Sequence, residues 1–198
     1  MTALETRNVW NEVYEGNPLD ELPWHQEEPP EYLIELVEKK VVEGPVLDIC
    51  CGAGTNSVFL AQKGFEVHGI DIAAKAVEMA NQKARKGKVS CSFIAGDAIH
   101  LPYLDGRFSF IFDRGCFHHI PVGLRERFVE GVARVLKKGG RYQLNCFSDK
   151  DPYFNGLSKG DIKKYFSKHF DIESMRKVEF QEKTGLHRYF YTVLMKRR

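Results

Sequence analysis

Four aspartates, two glycines and a pair of histidines carry most of the chemistry this chain can offer. Asp48, Asp71, Asp97 and Asp113 each fall in or just after a short apolar run, and Gly52 and Gly54 open the loop that follows the first run. Carboxylates at the carboxyl ends of successive parallel strands converge on the crevice where open sheets bind ligands. A crevice crowded with acids suits a cationic, hydroxyl-bearing ligand better than a polyphosphate. Asp71, about twenty residues past the loop, is placed to accept from both hydroxyls of a ribose, as a carboxylate can do bidentately. His118 and His119 follow the fourth run in D-R-G-C-F-H-H-I-P, and an imidazole titrating near working pH suits a general base. The alternative for this pair is that one ring packs against the sheet while the other faces solvent. Cys116 beside them makes no expected metal site, because the three ligands are nearly contiguous and no fourth is evident.

Two phosphate-binding readings fail on spacing. A G-x-G-x-x-G dinucleotide loop starting at Gly52 needs glycine where Ser57 stands, and no G-x-x-x-x-G-K-[ST] occurs.

Alternating strand and helix signals must position these groups. The patterns predict strands over 46–50, 66–70, 89–95, 108–112 and 141–147, with helices over 56–63 and 73–85. A further helix begins at Pro121 and ends at Gly139-Gly140. Parallel strands need crossovers, so the expected fold class is α/β, a mostly parallel sheet with helices on both faces. After residue 150 the rhythm changes to a helix over 158–169 and two strands, 170–178 and 188–196, with only a turn between them. They complete seven strands as a C-terminal antiparallel hairpin. Upstream, a polar leader with Trp10, Tyr14 and Trp24 predicts a short helix over 10–14, and a second helix runs over 31–40. The aromatic arm either packs on the body of the domain or closes as a lid over a ligand.

With 198 residues the chain is expected to form one domain, and 43% hydrophobic with 28% charged residues is ordinary for a globular protein. A net charge of +2 argues against a nucleic-acid binder. There is no signal-peptide core or membrane-length apolar run, and the odd count of five cysteines lies mostly in predicted apolar strands. A cytoplasmic protein is therefore expected.

In this order and at these intervals, the motifs resemble those of class I S-adenosylmethionine-dependent methyltransferases over nearly the whole chain. L-D-I-C-C-G-A-G-T-N is similar to the family's glycine-rich motif, G-I-D-I to its ribose acid, and A-G-D-A to its adenine motif. F-S-F-I-F-D-R-G and V-L-K-K-G-G-R are similar to its later motifs. Cys50 departs from the pattern, where the family commonly has glycine. The resemblance implies a Rossmann-like sheet with residues 1–43 as lid, 44–150 holding the cofactor and 151–198 as the C-terminal helix and hairpin.

The resemblance also implies S-adenosyl-L-methionine as cofactor and assigns its contacts. Asp48, Gly52 and Gly54 would line the methionine moiety, Asp71 the ribose, and Ile72, Asp97 and Ala98 the adenine. The backbone around Asp113 would meet the ammonium, with Trp10 and Tyr14 over the sulfonium. W-N-E-V-Y and L-P-W-H resemble the start of thiol, thiopurine and tellurite methyltransferases, so the expected acceptor is a small molecule, a thiol or another soft nucleophile being favoured. The alternatives are O- or N-methylation of a metabolite with a histidine base, or a non-catalytic cofactor-binding subunit. [DN]-P-P-[YF] is absent after the fourth strand, so nucleic acid is not an expected substrate. No membrane partner is expected, and the chain would act as monomer or homodimer.

Overall fold

The computed structural model describes residues 2–181 and 185–198, excepting the side chain of residue 181. It forms two compact units, 1–100 and 101–198. In the first, helix α1 (Ala3–Gly16) begins at a capping box. Thr2 Oγ1 accepts the Glu5 amide at 3.3 Å, and the Glu5 carboxylate accepts the Thr2 amide at 2.7 Å. These bonds satisfy two otherwise orphaned donors and start the helix seven residues before the expected position. Helix α2 (Glu31–Glu38) follows Pro30.

Strand β1 (Val46–Ile49), helix α3 (Thr55–Gln62), strand β2 (Val67–Asp71), helix α4 (Ala74–Lys86) and strand β3 (Ser92–Ala95) then follow the expected alternation. β2 pairs parallel with β1 and with β3. Every residue of β1 is buried, as a strand covered on both faces requires. α4 buries Ala76, Val77, Ala80 and Ala84, and three of these being alanines lets the helix lie close to the glycine loop.

The second unit opens with β4 (Phe108–Arg114) and a 3-10 turn at Phe117–His119. Helix α5 (Arg125–Val135) leads into β5 (Leu136–Phe147), so the Gly139-Gly140 pair lies inside the strand rather than at the end of the helix. The β4–β5 register shifts between Phe108 and Phe110. There Gly140 passes so near the Ser109 carbonyl that a Cβ would sit 2.8 Å from its oxygen. The pair is thus a bulge, which the sequence pattern alone reads as a stop. Helix α6 (Lys159–Phe166) starts at a second capping box, made by Ser158 and Asp161. The expected hairpin follows as β6 (Phe170–Gln181) and β7 (His187–Arg197), antiparallel to each other, with β7 antiparallel to β5. The seven strands form a mixed sheet in the order β3-β2-β1-β4-β5-β7-β6, the Rossmann-like arrangement with an antiparallel end.

Candidate active site

The glycine loop of the first unit is held from three sides. Asp71 at the end of β2 accepts the Gly52 amide on Oδ2 at 2.8 Å and the Ala73 amide on Oδ1 at 2.9 Å. Ser57, which occupies the third-glycine position of a dinucleotide loop, is fully buried and donates its hydroxyl to Asp48 Oδ2 at 2.6 Å. That bond joins the first turn of α3 to β1, and a glycine there has no hydroxyl to make it. Gly54, with φ of +79°, forms the N-cap of α3, and a Cβ on it would stand 2.8 Å from Ala80 Cβ.

Tyr14 covers the loop, and its hydroxyl would lie 2.9 Å from a Cβ built on Gly52. Trp24 Nε1 donates to the same hydroxyl at 3.4 Å, and the Trp10 and Trp24 rings meet edge to face at 5.5 Å. Trp10, Val13, Leu19 and Met79 pack against a cluster of Tyr14, Leu22, Ala73 and Ala76. The aromatic arm is therefore packed on the start of α4 and also touches the loop. Burial first, then the charge of Asp71, raises the Tyr14 pKa well above its usual value. The hydroxyl stays protonated.

Asp71 fits a ribose. A carboxylate has about four acceptor positions; the Gly52 and Ala73 amides engage two, and the Ile72 amide also acts on the carboxylate. Burial raises its pKa, and the amide bonds oppose the shift. Asp97 caps its own turn, accepting the Ile99 amide at 2.9 Å and lying 3.2 Å from His100 Nδ1, beside the buried Ala98. Ile72 is half-buried between Asp71 and Ala73.

Cys50 has φ of +54°, the left-handed conformation that glycine adopts without a Cβ penalty. This is the physical content of its departure from the family pattern. Cys50→Gly removes roughly 1–2 kcal/mol of backbone cost and is expected to leave cofactor affinity equal or tighter, by calorimetric titration with thiols kept reduced. Weaker binding contradicts this placement of the loop.

In the second unit, Asp113 is fully buried. It accepts the Tyr142 hydroxyl at 2.6 Å and the Cys116 and Phe117 amides at 2.8 and 3.4 Å, so its carboxylate pins the 3-10 turn that presents the histidines. Burial lifts its pKa to about 7, against these hydrogen bonds. His118 Nδ1 accepts the Phe147 amide at 3.2 Å. An amide only donates, so the neutral His118 ring carries its proton on Nε2 and has no lone pair left to take another. Rings packed about both histidines lower both pKa values, that of His118 further. His119 is exposed.

His118 stands in an aromatic wall that sequence spacing does not display. Its ring lies 4.6 Å from Phe147 and 5.5 Å from Phe154, and Phe147 stacks on both Phe154 and Phe190 at 4.5 Å. Asp151 organises this wall. It accepts the Tyr153, Phe154 and Tyr189 amides and pairs with Arg188 at 2.9 Å, and the guanidinium lies 4.3 Å above Phe147. Burial alone would raise the Asp151 pKa, but Arg188 with the Tyr189 and Tyr153 amides holds the carboxyl below its ordinary range. The closely spaced Asp151, Tyr153 and Phe154 were the available signal, whereas Arg188 gave none.

Among the described residues no cluster of histidine, cysteine or acidic side chains could hold a metal, and no helix is long and apolar enough to cross a membrane. Residues 46–140 match the methyltransferase domain family. A 2-heptyl-1-hydroxyquinolin-4(1H)-one methyltransferase of Mycobacteroides abscessus is 27% identical over 179 residues, 85% of this chain and 79% of that protein. An uncharacterized methyltransferase of Schizosaccharomyces pombe is 31% identical over 104 residues, 52% of this chain and 72% of its own length. The fold superposes with TM-score 0.86 on a chain solved in a study of the conversion of a disulfide bond into a thioacetal group during echinomycin biosynthesis, at 21% identity over 97% of this chain and 91% of that one. It also superposes with TM-score 0.73 on Burkholderia thailandensis 1,6-didemethyltoxoflavin-N1-methyltransferase with bound S-adenosylhomocysteine, at 17% identity over 98% and 84%. A glycine loop tied to an acid with acceptor capacity for a ribose, on this sheet and with these relatives, identifies the chain as a member of the class I S-adenosylmethionine-dependent methyltransferases.

Proposed function

We propose that the chain, as one catalytic domain over residues 1–198, methylates a hydroxyl on a flat heteroaromatic small molecule. The observation that carries this reading is the stack of Phe154, Phe147 and Phe190 beside His118. Offset ring faces attract a planar acceptor by about 0.5–1.5 kcal/mol per pair beyond area burial. The Mycobacteroides relative, named for a hydroxyquinolinone, and the Burkholderia protein with its bound didemethyltoxoflavin support the same acceptor shape.

For the cofactor, Asp71 holds the ribose hydroxyls, Ile72 and Ala98 flank the adenine, and Asp97 accepts from its amino group. Asp48, Gly52 and Gly54 shape the methionine end, Trp10 and Tyr14 face the sulfonium, and the backbone at Asp113 meets the ammonium. When bound, S-adenosylmethionine supplies an electrophilic methyl group on a good leaving group. The protein's own work is then to orient the acceptor, exclude water and take one proton. His119 Nε2 or Nδ1 takes that proton. His118 is a positioning residue, its Nδ1 tying the 3-10 turn to the end of β5.

A thiol on the same ring is the second reading, favoured by the absence of a spare lone pair on His118, since a thiol needs little help from a base. Paired acceptors differing only in hydroxyl or thiol separate the two. His119→Asn is expected to lower kcat on the hydroxyl by about 10²–10⁴-fold and to spare the thiol. The wild-type rate on the hydroxyl rises with pH through the lowered His119 pKa and is already level at neutral pH. Equal losses on both acceptors would remove the base role.

A further inference from the structure

We infer that the acceptor carries an apolar tail and that the β5-β7-β6 end of the sheet binds it, an inference that rests on the flat-acceptor reading above. Phe147 stands opposite Phe190 in the β5–β7 register, and Phe190 stands opposite Val178 in the β6–β7 register. Residues directly opposite in an antiparallel pair share a face, so these three side chains form one row across three strands. Arg188 and Phe180, also opposite each other, make the next row on that face. The inner end of the row is closed by His118 and Phe154 against Phe147. Its outer end opens to solvent at Val178, 37% exposed, and Phe180, 38% exposed.

The other face of the same hairpin is buried at Tyr191, Val193 and Met195 and carries charge farther along. Lys177 lies 5.2 Å over Tyr189, and Glu179 pairs with His187. Exposed apolar side chains at Val178 and Phe180, on the outermost strand of the sheet, leave that face a liability unless something covers it. Continuity with the aromatic wall favours a tail attached to the ring that sits there. The row spans two strand spacings, about 10 Å. Two side chains little more than a third exposed fall far short of the roughly 800 Å² per partner that a stable dimer buries. Arg188 does not break the row, because its guanidinium is paired with Asp151 and sits over Phe147, 4.3 Å from the ring centre.

The test is a series of hydroxyquinolines bearing no side chain or straight alkyl chains of increasing length. In the wild-type chain kcat/KM is expected to rise about threefold to fourfold per methylene until the row is filled. Val178→Asp with Phe180→Ser is expected to flatten the series, while the unsubstituted ring keeps its kcat/KM within about twofold, since both positions are surface sites. A flat wild-type series with the bare ring still methylated overturns the tail and leaves the acceptor reading standing. Uniform losses across the series, or a wild-type dimer in gel filtration that the variants dissociate, also overturn it. No methylation of any ring removes both readings.

Discussion

Asp71→Ala is expected to raise the Kd for S-adenosylmethionine by about two to four orders of magnitude, because the two charge-assisted bonds proposed to the ribose hydroxyls, at roughly 1.5–3 kcal/mol each, would be lost together. The same substitution leaves the Gly52 and Ala73 amides without their acceptor, so the glycine loop loosens and part of the loss comes from disordering the seat. Asp71→Asn does not rescue it. An amide presents one oxygen and one NH2, and the NH2 would face whichever backbone N–H had bonded the second oxygen. Binding by the wild type weakens as pH falls through the Asp71 pKa, and burial moves that point above the ordinary aspartate range. Calorimetric titration of the two variants checks this, and a Kd within threefold of wild type in Asp71→Ala contradicts the ribose assignment.

Asp113 is expected to make the second largest difference, this time in stability. Asp113→Ala strands the Tyr142 hydroxyl and two backbone amides in the core, at about 1–3 kcal/mol for each unsatisfied group. Asp113→Asn is far milder. Its oxygen still accepts from the Cys116 and Phe117 amides, and its NH2 donates to the Tyr142 oxygen. The unfolded carboxyl titrates near 3.9 and the folded one at about 7, so the folded state holds the proton more tightly. Its stabilising effect is complete below about pH 4 and is lost as pH rises to about 7, on the order of 4 kcal/mol in all. Urea unfolding at pH 5 and pH 8 is expected to show wild type losing stability relative to Asp113→Asn across that interval. Parallel curves for the two proteins would show that the carboxyl is already ionised at pH 5.

Much of the first unit was legible because its signals are local. Gly52, Gly54 and Asp71 lie within twenty residues of one another, and the loop, strand and acid they mark all formed. Ser57 was legible only as a missing glycine; its bond to Asp48 needs the geometry of α3 over β1. The early start of α1 is encoded by Thr2 and Glu5 as a capping box, well ahead of the Trp10 and Tyr14 spacing that marks the rest of the helix. The Gly139-Gly140 bulge failed for a different reason, since glycine serves equally as a helix stop and as a close approach between strands.

The acceptor wall was the least legible part. Residues 118, 147, 154 and 190 meet because β4, β5 and β7 are neighbours in the sheet, and no periodicity in the chain records that. The role of His118 turned on one backbone amide, that of Phe147, taking its Nδ1 lone pair. A histidine pair after a strand is compatible with two bases; that bond gives His118 a positioning role.

Seating of S-adenosylmethionine by the glycine loop and Asp71 is tested by a crystal structure with S-adenosylhomocysteine bound. Both ribose hydroxyl oxygens are expected at hydrogen-bond distance from the Asp71 carboxylate, about 2.5–3.0 Å, with the adenine between Ile72 and Ala98. A ribose held by any other residue, with Asp71 bonded to backbone amides alone, would overturn this seating.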